Sequence, residues 1–94
     1  MKQNANILQR LAEKSELVGE LMPGLPLIEI AGENRVLIEN HLGVKEYGQE
    51  RIGVKVKFGM VLVIGRGLEL CRMSKEQLVI SGRIDAVTLQ RRKE

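Results

Sequence analysis

The chain has 94 residues, 44% of them hydrophobic and 29% charged, a balance that suits one globular core and excludes the low-hydrophobicity, high-charge composition of a disordered chain. Only Tyr47 and Phe58 are aromatic and Cys71 is the single cysteine, so the core has to be packed from aliphatic side chains, an intramolecular disulfide is excluded, and a reducing cytoplasm is expected. No apolar run approaches the ~18 residues of a membrane-spanning helix, Met1 to Asn6 does not lead into a secretory signal, and the net charge of +3 is too small to name an anionic partner.

Residues 1–22 carry apolar side chains at Ile7, Leu8, Leu11, Leu17, Val18, Leu21 and Met22, with Gln9, Arg10, Glu13, Lys14 and Glu20 among them. This spacing predicts an amphipathic helical arm, on which Ile7, Leu11 and Val18 are candidate partner contacts. Pro23, Gly24 and Pro26 end it, because proline fixes φ and lacks a donor while glycine suits a helix C-cap. Residues 23–94 then read as one β domain, a single folding unit.

From Leu27 the period changes to two, and β-branched runs alternate with glycine-centred turn signals, as in an antiparallel meander. Leu27 to Ala31 is expected to pair with Arg35 to Glu39 through Gly32-Glu33-Asn34, since glycine and asparagine tolerate positive φ. Asn40-His41-Leu42-Gly43 is the next turn candidate. In Arg51 to Phe58 the residues Ile52, Val54, Val56 and Phe58 alternate with Gly53, Lys55 and Lys57, which predicts one buried and one solvated face.

Gly59 separates that strand from Met60 to Ile64, whose unbroken apolar character predicts cover on both faces, from the arm or a second subunit. Gly65-Arg66-Gly67 is read as a turn into Leu68 to Met73, and Ser74-Lys75-Glu76 as another. Gln77 to Gln90 supplies the last segment, interrupted by Gly82 at a bulge or corner. The fold class is mainly β: a small antiparallel sheet, sandwich or roll of six to seven short strands after an N-terminal amphipathic helix.

Catalysis requires a nucleophile, a base and an orienting group, or a metal cluster. His41 is the lone histidine and sits in a turn sequence, where local hydrogen bonding is expected; Cys71, between Leu70 and Arg72, reads as a buried, inert thiol. No CxxC, HxxxH or HExxH pattern occurs, so neither a zinc site nor a cofactor is expected. Gly65-Arg66-Gly67 lacks the longer glycine-rich run and Lys-Ser/Thr of a phosphate loop. Glu29, Glu39, Glu69 and Asp85 show no spacing that predicts paired carboxylates. Arg51, Lys55 and Lys57 make a basic stripe on one strand face, read as a solvated face that is also a candidate partner contact. Nucleic-acid binding is disfavoured because aromatic stacking residues are missing.

The run Gly32-Glu33-Asn34-Arg35-Val36-Leu37-Ile38-Glu39-Asn40-His41, followed by Gly43-Val44-Lys45-Glu46-Tyr47, Leu68-Glu69-Leu70 and Gln77-Leu78-Val79-Ile80-Ser81-Gly82-Arg83-Ile84-Asp85, resembles the YabP/YqfC family of sporulation proteins, the YqfC branch in particular, over Leu27 to Arg92. The resemblance implies a protein of the sporulating mother cell, cytoplasmic or at the forespore surface, acting in spore envelope or coat formation. It carries no catalytic residues. Gly32, Asn34, Glu39, Asn40, His41, Gly43, Gly59, Gly65, Gly67, Gly82 and Asp85 stand as turn or motif positions. The expected function is a non-enzymatic assembly or adaptor role with protein partners, with homo-oligomerisation and peripheral membrane contact left open. The alternative is a small regulatory or membrane-peripheral module that binds an anionic surface through the basic stripe and Arg91-Arg92-Lys93.

Overall fold

A computed structural model of the chain describes residues 24–92. The arm predicted over residues 1–22 lies outside the described residues. Six strands form one antiparallel sheet: β1 (Leu27–Ala31), β2 (Arg35–Glu39), β3 (Val44–Tyr47), β4 (Arg51–Val56), β5 (Gly59–Met73) and β6 (Gln77–Arg91). They lie in the order β1-β2-β6-β5-β4-β3.

The long β5–β6 hairpin belongs to both halves of this sheet. Its closed end, around Ser74–Glu76, pairs Leu70 with Ile80 and Met73 with Leu78, while β2 lies along the far side of β6 with Ile38 opposite Leu78 and Val36 opposite Ile80. Its open end pairs Val61 with Leu89 and Val63 with Val87, and there β4 lies along the far side of β5, with Ile52 opposite Val63 and Val54 opposite Val61. Directly opposed residues of an antiparallel pair share a face, so one face of each half is a block of Val, Ile and Leu. Val36, Ile38, Leu78 and Ile80 from the first half form a single buried cluster with Ile52, Val54, Val56, Val61 and Val63 from the second. The sheet therefore rolls over on itself, as the expectation of a small roll allowed.

Glycine makes that bend. Between Ile64 and Arg72 the β5–β6 register shifts three times, each shift a bulge that increases local twist. A Cβ at Gly65 would overlap the carbonyl oxygen of Arg83, and one at Gly82 (φ 129°) would lie 2.6 Å from the Gly67 carbonyl oxygen. The two backbones thus approach more closely than any side chain permits. The bulge also turns Leu68 into the core, where it is 1% exposed, with its N–H donating to the Gln49 carbonyl at 2.8 Å.

Several sequence expectations are corrected here. Gly65-Arg66-Gly67 does not reverse the chain; it bends one continuous 15-residue strand, so β5 and β6 are long rather than short. Val44–Tyr47 is a strand that the alternation missed, because only its two ends are apolar and its pairing with β4 is bulged. Asn40 to Gly43 is a crossing rather than a hairpin turn, carrying the chain from β2 near one edge to β3 at the other, so the meander is broken there. Phe58 lies in the β4–β5 turn. The Gly32-Glu33-Asn34 hairpin, the Ser74–Glu76 turn and the corner at Gly82 stand as expected. On the face of β5 away from the core, Leu62 is 3% exposed while Met60 and Ile64 are half-buried. Leu62 lies over Gly53, where a Cβ would meet Leu62 Cδ2 at 3.2 Å and Met60 Sδ at 3.3 Å.

Candidate interaction surface

Asn40 and His41 are spent on the backbone. β2 ends at Glu39, and Asn40 follows with φ 60°, a left-handed conformation that asparagine tolerates better than most residues. From there its N–H donates to the Glu76 carbonyl at 2.6 Å and its Nδ2 to the Leu25 carbonyl at 2.9 Å. His41, 8% exposed, accepts the Gly43 N–H on Nδ1 at 3.0 Å. The ring proton therefore sits on Nε2, which donates to the Ser74 carbonyl at 2.8 Å. Leu42 and Gly43 go on to exchange main-chain bonds with Lys55 at 2.7 and 2.8 Å. The Gly43 bond is the local one expected of His41, while the Ser74 bond, 33 residues away, pins the crossing between the two halves to the β5–β6 turn, and both ring nitrogens are occupied.

Cys71 corrects its expectation. It lies at the last register shift of β5, where the side-chain alternation slips, and is exposed rather than buried. Its thiol donates to Ser81 Oγ at 2.7 Å.

The basic stripe is interrupted. Arg51 and Lys55 are exposed on the face of β4 away from the core, separated by Gly53, and Lys57 lies in the β4–β5 turn. Arg51 Nε is 2.9 Å from Glu46 Oε2 and Arg83 Nε is 3.2 Å from Asp85 Oδ1. These exposed pairs are worth little to stability, but they offset two of the cations that an anionic surface would use. Ile7, Leu11 and Val18 lie outside the described residues. Of the remaining motif positions, Gly32 and Asn34 form the first hairpin turn, Gly59 opens β5, and Gly65, Gly67 and Gly82 gather at the bend.

A feature the sequence did not reveal appears at the margins of the sheet. Among the described residues the open edges are β1, β3, the closed-end part of β5 (Glu69–Met73) and the open-end part of β6 (Asp85–Arg91). Each carries an exposed large apolar side chain: Ile30, Tyr47, Met73 and Leu89, at 54–61% exposure. Each is directly opposite a buried core residue: Ile30 faces Val36, Tyr47 faces Ile52, Met73 faces Leu78 and Leu89 faces Val61. The core face therefore runs out to all four edges and ends there uncovered, beside unpaired main-chain groups. Alternation alone hides this, because it assigns a residue to a face without saying how many neighbours its strand has.

The model of the YabP family matches residues 26–94, from just before β1 to the end of the chain. The chain belongs to the YabP family. A relative, the uncharacterized protein YqfC of Bacillus subtilis (strain 168), is 26% identical over 77 residues, covering 82% of this chain and 83% of that protein. No solved structure matches. Membership points to a sporulation-associated protein, in line with the resemblance carried by the Gly32–Tyr47 run.

Proposed function

We propose that this YabP-family protein is a non-enzymatic assembly or adaptor component of spore envelope or coat formation, working in the mother cell. The observation that carries the reading is the extension of the core face to four open edges, each ending in an exposed apolar residue. Backbone donors and acceptors beside an apolar stripe are the chemistry of strand addition: the main chain gives affinity and alternate side chains give selectivity. The occupation of both His41 ring nitrogens by main-chain partners supports the same reading.

The test is complementation in a sporulating strain that lacks the gene. Ile30→Lys and Met73→Lys, placed on exposed edges and checked for folding by circular dichroism, are expected to leave the spore envelope defective, while Cys71→Ser restores it. Normal envelopes from both edge variants would reject the assembly role. Loss of function in Cys71→Ser would return the case to an enzyme with a reactive thiol.

A further inference from the structure

The four edges are not equivalent. The β3 edge has four residues and a bulge, and the Glu69–Met73 edge is broken by a register shift. From Ala86 to Arg91, by contrast, β6 pairs with β5 in unbroken register, and β2 has already left its other side, the last contacts there being Gly82 N–H to Asn34 and Ile84 N–H to Glu33. This stretch, Asp85-Ala86-Val87-Thr88-Leu89-Gln90-Arg91, contains neither proline nor lysine, the usual guards of an edge strand.

Its hydrogen-bonding groups can be placed by alternation. Arg92 N–H donates to the Phe58 carbonyl across the hairpin at 3.0 Å, so the N–H and C=O groups of Gln90, Thr88 and Ala86 face β5 and those of Val87, Leu89 and Arg91 face outward. We propose that these outward groups bind the same segment of a second copy, antiparallel about a two-fold axis at Thr88, joining two sheets into one. This deepens the assembly reading and rests on it.

The register is chosen by the sequence. Centred on Thr88, Val87 falls opposite Leu89 of the second copy, both with outward main-chain groups and both with side chains on the core face. Ala86 falls opposite Gln90 of the second copy, and Arg91 reaches the bulge at Asp85, whose carboxylate also takes Arg83 Nε at 3.2 Å. Moving the centre to Leu89 sets Val87 against Arg91; moving it to Val87 sets Asp85 against Leu89. Only the Thr88 register sets both Val87 and Leu89 against an apolar partner, and the two-fold axis makes that match twice. Seven residues per copy place the contact near or below the ~1,200 Å² lower end of standard interfaces, so the dimer is expected to dissociate on dilution.

The experiment uses the full chain with Cys71→Ser as background. Thr88 and its symmetry mate form a non-hydrogen-bonded pair, whose ~4.5 Å Cα separation suits a disulfide. Thr88→Cys is therefore expected to give a covalent dimer under mild oxidation. Ala86→Cys, displaced four residues from its own mate, is expected not to. In light scattering against concentration, Leu89→Lys is expected to weaken dimerisation by ~10-fold or more, with an unchanged circular dichroism spectrum. Asp85→Arg and Arg91→Asp are each expected to weaken it, and their combination to restore it. A monomer at every concentration would overturn the proposal, as would a dimer that Leu89→Lys leaves intact and Thr88→Cys fails to cross-link; the latter would mean that another edge or residues 1–23 take the second copy. A monomer that still requires Ile30 and Met73 for envelope formation would sink self-pairing while leaving the adaptor role standing.

Discussion

The two ends of β6 are made from similar residues and have opposite fates. In Gln77–Ser81, Leu78 and Ile80 are fully buried between β2 and β5; in Asp85–Arg91, Val87 is half-buried and Leu89 is 58% exposed, although both lie on the same core face. The difference is the number of neighbouring strands. An apolar residue at alternate positions is buried when its strand is flanked on both sides and is left partly in water when one neighbour is missing.

The sharpest way to break the comparison is to remove the bend that separates the two ends. Gly65→Ala sets a methyl group against the Arg83 main chain, and the loss is expected to exceed ~4 kcal/mol, seen as failure to recover folded protein; a folded variant with a native urea midpoint would show that the close approach is dispensable. Ile80→Ala, in the flanked end, is expected to cost about 3 kcal/mol from lost burial and the resulting cavity, read from urea unfolding. His41→Ala strands the Gly43 N–H and the Ser74 carbonyl, with an expected loss of about 2 kcal/mol in the same assay. Leu89→Ala, in the one-sided end, is expected to change monomer stability by no more than ~0.5 kcal/mol. If Leu89→Ala proved as costly as Ile80→Ala when measured below the dimer's dissociation range, the contrast between the two ends of β6 would collapse.

Much of the fold was legible in the residues. Gly32 and Asn34 announced the first hairpin, and the alternation of Ile52, Val54 and Val56 announced a half-buried strand, because both signals are local. The misreadings share a cause. Gly65 and Gly67 look like turn residues, but glycine serves equally where a second backbone presses close, and that neighbour, around Arg83, lies in another strand. Cys71 was misplaced because apolar neighbours in the sequence say nothing of strand order, and its stretch of β5 is an open edge; β3 was missed because Lys45 and Glu46 stand between its apolar ends. The bond from Gly43 to His41 was legible from its local context, but the pin to Ser74 was not, because that partner lies 33 residues along the chain. The exposed edge residues were not, since their exposure depends on strand order.

The shared hairpin also bears on how the chain reaches this state. Pairing β5 with β6 needs only a short loop at Ser74–Glu76, whereas β2 must wait for a segment far along the chain, Leu37 finding Val79. Hairpins close in microseconds, while non-local pairings carry the larger loop-closure entropy. The β5–β6 ribbon is therefore the natural nucleus, with β4 adding from one side and β2 from the other. Because each half borrows a piece of the same two strands, neither can melt alone, and the β domain is expected to unfold in a single cooperative transition.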